Sequence, residues 1–162
     1  MQQAWLQDIE PFDMPRVSKL AHINVTQKGN EYWSTLHWIE MNQARKPMDD
    51  KRFRQAVMYA IDREFIVKRI MFGLGTVSTG PFHRNTRFFD PNIKQYPYDP
   101  KKAIALLDEM GLKPDAKGVR VKLGLIPNPY GEMQRRIAEY TKQSLGKVCL
   151  LYTSDAADEG LG

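Results

Sequence analysis

Three histidines, one cysteine and a glycine-rich octet are the residues of this 162-residue chain whose types could do chemistry. His22, His37 and His83 have no metal-ligand spacing among themselves, and with Cys149 as the lone cysteine there is no Cys-x-x-Cys pair, so neither a metal site nor a cofactor is expected. "GLGTVSTG", from Gly73 to Gly80, has the composition of a phosphate loop but the wrong setting. Dinucleotide-binding glycines leave a strand and enter a helix, and a Walker loop ends in Gly-Lys-Ser or Gly-Lys-Thr. These glycines follow a helical pattern and run into Pro81. No serine stands in a G-x-S-x-G elbow, so no catalytic residue is expected and the chain does not read as an enzyme. What remains is aromatic. Tyr32, Trp33 and Trp38 lie close together, with Glu40 and Asn42 on the face of Trp38 if the segment is extended. Clefts for peptides and small molecules combine such walls with a few oriented polar groups. A core tryptophan beside a solvated Glu40 gives the same pattern.

The elements that must position these residues follow from periodicity. "DIEPFDMPRVSK" carries two prolines and cannot be a central strand. Strands are expected at 20–27 and 33–42, joined through Gly29 and Asn30 as a hairpin, because large residues alternate along the second of them. Asp49 or Asp50 can cap a helix through "KRFRQAVMYAI", whose stripe is Phe53, Val57, Ala60 and Ile61; Asp62 then ends it and caps a second helix through "REFIVKRIMFG". A long Gly- and Pro-rich loop covers 73–98. "YDPKKAIALLDEMG" has Asp99 at N-cap, Pro100 in the first turn, Ala103, Leu106, Leu107 and Met110 on one face, and Gly111 just past the end. Val119, Val121, Leu123 and Leu125 predict a half-buried strand stopped by Pro127, and Met133, Ile137, Tyr140 and Leu145 a last helix. This order predicts an α/β layer arrangement.

Charge narrows the partners. The net charge is +5; without Asp155, Asp158 and Glu159 the 19 acidic residues fall to 16 against 24 basic, a net charge of +8. A small basic nucleic-acid-binding module is therefore the alternative to weigh. The basic residues are nevertheless scattered over separate helices among Asp and Glu, the pattern of solvated faces. No apolar run is long enough to span a bilayer, and "MQQAWLQDIEPFDMP" lacks the features of a signal peptide, which implies either a cytosolic chain or a start further upstream.

Taken in order, the motifs resemble the extracytoplasmic solute-binding proteins of dipeptide, oligopeptide and nickel ABC transporters. The resemblance rests on a strand ending in Asn42, a turn with Pro47 and Asp50, Arg54 to Ala56 running into Ala60 to Arg63, the glycine-rich loop to Gly80 and Pro81, and Tyr98 to Gly111. It extends from about residue 23 to 148. It implies part of a two-lobed periplasmic binding protein fold, a mixed sheet with flanking helices, mainly from the second lobe. It further implies a periplasmic protein whose intact form holds a peptide or similar small solute between lobes and delivers it to ABC permease subunits, with no nucleic acid and no chemistry on the ligand. Trp38, Asn42 and Gly80 are the candidate ligand-binding residues.

The end of the chain reads differently. Cys149 to Gly162 contains none of the 24 basic residues. Cys149 to Glu159 can be encoded by a run that resembles the transposase adaptor of sequencing libraries. The expected division is therefore 1–148, a fragment of a solute-binding protein, and 149–162, a non-native tail that is disordered or non-natively packed.

Overall fold

In the computed structural model of the chain, residues 9–26, 28, 36–127 and 131–153 are described. Helices α2 (Lys51–Ala60) and α4 (Pro100–Glu109) form the heart of the molecule. On α2 the face Phe53, Ala56, Val57 and Ala60 is at most 1% exposed, and on α4 Ala103 and Leu107 are fully buried. Spacing of three and four residues puts each set on one helical face, and the alanines let the two backbones approach closely. Leu145, Val148 and Leu150 close the same core from the C-terminal side.

Local caps fix where these helices begin and end. Asp50 accepts from the Arg52 amide at 2.7 Å and Asp99 from the Lys102 amide at 3.0 Å, each satisfying a first-turn donor. At the far end of α4, Gly111 has φ +75°, the Leu112 amide reaches the Leu107 carbonyl at 3.0 Å, and the Gly111 amide reaches Asp108 at 2.9 Å. Those two bonds are the Schellman closure, which needs a left-handed residue at this position. Asp62 separates α2 from α3 (Arg63–Phe65) as the sequence predicts, accepting from the Phe65 amide at 2.9 Å. The second helix does not run on as α-helix. Beyond Phe65 it widens into a π-helical turn, Ile66–Ile70, and ends at Phe72 and Gly73, both with positive φ.

Strand β1 (Val121–Gly124), helix α5 (Glu132–Gly146) and strand β2 (Leu150–Thr153) form a β-α-β unit with the strands parallel, Val121 opposite Leu150. Arg120 ties this unit to α4: its amide donates to the Cys149 carbonyl at 2.8 Å, and its guanidinium meets the Asp108 carboxylate and the Leu112 carbonyl. At the other end of α5, the Glu132 amide donates to the Glu10 carboxylate at 3.3 Å, and Arg136 lies 5.2 Å from the Phe12 ring centre. The Pro-rich start, excluded as a central strand by its prolines, packs as one turn of 3-10 helix (Pro11–Asp13) and the short α1 (Met14–Val17).

Two expectations change. The α/β arrangement holds, but the sheet among the described residues is two parallel strands. Residues 20–26 are turns and irregular backbone, and 36–42 run without ladder hydrogen bonds; Gln27, 29–32 and 33–35 lie outside the described residues. Alternation alone does not make a strand, because the ladder needs a partner at the right distance. Residues 39–41 instead face Leu123–Leu125 across a crevice of about 70 Å³. At the C-terminus the described backbone continues past residue 148 to residue 153. Leu150 is fully buried and Leu150–Thr153 pairs with β1. Val148 and Leu150 alternate inward as any buried strand entry does, whatever their origin.

Cys149 between them has φ +64°, in the left-handed region that costs an L side chain about 1 kcal/mol. Cys149→Gly is therefore expected to raise stability by roughly 1 kcal/mol in thermal unfolding; an unchanged or lower midpoint contradicts the strain. Arg135 and Arg136 bond the Glu132 carboxylate and hold its pKa near 2, against an ordinary value of 4.5. A depressed folded-state pKa means that this contribution to stability is present above pH 4.5 and is lost as pH falls toward 2. An NMR titration of the Glu132 carboxyl should show a midpoint near 2. A midpoint at the ordinary glutamate value would show that the two arginines are not bound to it.

Candidate functional site

The segment ending in Asn42 lies on the rim of the core. Met41 packs inward against the cluster, while Trp38 is 70% exposed and Asn42 is exposed. Ile39, Glu40, Met41, Asn42 and Gln43 line an open depression of about 590 Å³, with the small crevice against β1 on their other side. Asn42 also starts a turn: its side-chain oxygen accepts from the Ala44 amide at 3.0 Å and its carbonyl from the Arg45 amide at 3.1 Å. An Asx turn of this kind engages the carboxamide oxygen, so the NH2 group takes no part in it.

Gly80 sits on the long loop between the π turn and α4. Its amide donates to the Ser78 hydroxyl at 3.3 Å, and that hydroxyl donates to the Gly80 carbonyl. Both main-chain groups of Gly80 thus have an internal partner, and a ligand must displace Ser78 or use the second lone pair of the carbonyl. A Cβ built at Gly80 lies 3.0 Å from the Ile93 methyl, which makes this a close approach between the two limbs of the loop. Of the three sequence candidates, only Asn42 lines the depression; Trp38 and Gly80 do not share it.

The loop is held by residues that composition does not single out. Arg63 donates through Nη1 to the Ser78 carbonyl at 3.2 Å and through Nη2 to the Tyr96 carbonyl at 2.8 Å. Gln55 Nε2 donates to the Tyr96 hydroxyl at 3.2 Å, and the Tyr59 and Tyr96 rings meet edge to face at 5.4 Å. The Asp99 amide then returns to the Tyr59 carbonyl at 2.8 Å, closing the loop onto α2. Burial pushes the Arg63 pKa down from its usual value, yet a guanidinium remains charged. One signal in the sequence pointed here: a basic residue directly after an N-cap opposes the helix dipole, so it needs another reason to be there. Across the π turn, Phe65 stacks on Tyr140 of α5 at 4.5 Å, and burial raises the Tyr140 pKa. Among the described residues no group of three His, Cys, Asp or Glu side chains is placed to hold a metal ion.

Comparison with known proteins supplies the context for this geometry. Residues 2–150 match the family described as bacterial extracellular solute-binding proteins, family 5 Middle. The chain is 31% identical to the dipeptide-binding protein of Escherichia coli K12 over 140 residues, which is 85% of this chain and 25% of that protein. The oligopeptide-binding protein of Thermus thermophilus, solved with a pentapeptide, superposes with a TM-score of 0.62 at 29% identity, covering 65% of this chain and 19% of that one. AppA of Bacillus subtilis, solved with a nonapeptide, gives 0.63 at 27% identity, covering 69% and 24%. The chain spans about a quarter of the length of the curated relatives it matches. With the α/β arrangement, the order of capped helices and the match over residues 2–150 all in agreement, the chain belongs to the family 5 bacterial extracellular solute-binding proteins.

Proposed function

We propose that the protein to which this chain belongs is the substrate-binding component of an ABC transporter. It captures peptides or similar small solutes outside the cytoplasmic membrane and hands them to permease subunits. The observation that carries this reading is the likeness to two structures solved with a pentapeptide and a nonapeptide, which cover 65% and 69% of this chain. A binding role of this kind needs main-chain hydrogen bonds and an aromatic wall, and lobe closure is driven by contacts made only in the closed form. Trp38 offers an exposed ring, Asn42 an NH2 group and Gly80 its backbone. Residues 1–148 are a fragment of the binding protein in this reading, mainly of its second lobe, and residues from 149 onward take no part in binding.

The basic nucleic-acid module has no support. Its cations are engaged locally: Arg52 with Asp50, Arg54 with the carbonyls of Met48 and Asp49, Arg120 with Asp108, and Arg135 and Arg136 with Glu132. These are caps and helix-surface pairs, which do not form the continuous basic stripe that a phosphate backbone requires.

A chimera tests the proposal. Residues 23–148 of this chain replace the matching stretch in the Escherichia coli dipeptide-binding protein, and peptide binding is followed by calorimetry. The chimera should fold and bind peptide. Trp38→Ala in it should weaken binding about tenfold without lowering the melting temperature, because the ring is exposed. A folded chimera that binds no peptide contradicts the proposal.

A further inference from the structure

The 73–98 loop contains no helix or strand, and ordering so long a segment costs about 1 kcal/mol or more per residue in backbone entropy. Something must hold it where it is. Its own turns are local: the Thr86 amide reaches the His83 carbonyl at 3.0 Å, and the Phe89 amide reaches Thr86 at 3.1 Å. Such bonds shape the tip around Phe82 and Phe88, both about half exposed, but do not attach it to the core. Attachment comes from Arg63, whose two Nη groups reach one carbonyl on the outgoing limb and one on the returning limb, at Ser78 and Tyr96.

We propose that Arg63 is the positioning residue of the Gly80 loop: a single guanidinium fork clips the two limbs together and sets where the Gly80 backbone stands. Both acceptors are main-chain carbonyls, so the fork registers backbone position and is indifferent to the side chains of the loop. A planar fork with fixed donors can bridge two carbonyls in one geometry, whereas a lysine ammonium lacks that fork. Arg63 opens α3, whose first turn Asp62 caps through the Phe65 amide, and its side chain is half-buried, so the clip is anchored at the start of α3. On the other limb, Tyr96 is fixed independently by Gln55 and by the Tyr59 ring. Removing Arg63 therefore frees the Ser78–Gly80 side more than the Tyr96 side. Its importance for ligand capture rests on the peptide-binding reading; the clip itself does not.

Hydrogen exchange on the full chain, without peptide, separates the two. In Arg63→Met, which keeps an apolar stem, amide exchange over 76–82 should accelerate about tenfold or more. Over 93–98 the increase should be smaller, and α4 amides from Ala103 to Leu107 should be unchanged. Arg63→Lys should restore only part of the protection. Unchanged exchange over 76–82, full rescue by lysine, or an equal acceleration in α4 overturns the assignment. Loss of loop protection with no effect on peptide binding in the chimera would instead count against Gly80 as a ligand contact and leave the clip standing.

Discussion

The rest of the molecule depends on the contact between α2 and α4. Ala56, Ala60 and Ala103 are fully buried, so no side chain beyond a methyl separates the helices at these points, and Phe53, Val57 and Leu107 fill the spaces beside them. Close packing of this kind tolerates little change of volume. It also fixes the ends of both helices. The start of α4 is bonded through Asp99 to Tyr59 near the end of α2, and the end of α4 is bonded through Arg120 to β1. Through those two joints the helix pair sets the place of the loop on one side and of the β-α-β unit on the other.

The segments with a proposed binding role lie outside that core and hang from it by few bonds. Met41 anchors the 39–43 segment from below, and Arg63 with Tyr96 anchors the long loop from its two limbs. Such an arrangement suits a surface that must meet a second surface: the core is close-packed, and the segments proposed to bind ligand are loops held on it at a few points. The exposed Trp38 ring and the half-exposed Phe82 and Phe88 pair are apolar groups left over once the core is complete.

The helices were legible in the sequence because their determinants are local. Asp50, Asp62, Asp99 and Gly111 act within three or four residues of themselves, and each does what its type and position predict. The half-buried strand at Val121–Gly124 was legible for the same reason, since its alternation matches its burial. Residues 36–42 alternate just as clearly and yet form no strand, because pairing depends on a neighbour that local pattern does not encode. Of the proposed site, Asn42 stands in a legible motif and lines the depression. Arg63 belongs to the same run of motifs, with no local sign of its partners. Its acceptors are carbonyls 15 and 33 residues away, and a carbonyl looks the same on every residue. At residue 149 composition marked a change of character, but the backbone continued, because an inward Leu150 satisfies a strand whatever precedes it.

On the proposed reading, this chain carries a folded core with one side of a peptide cleft, which needs a second lobe to close over the ligand. The most direct test is calorimetric titration of di- and pentapeptides into the chain alone, with folding checked on the same sample. A folded chain with no saturable heat up to about 1 mM peptide is expected. Saturable binding at about micromolar concentration would contradict this reading, because the residues present would then suffice without closure.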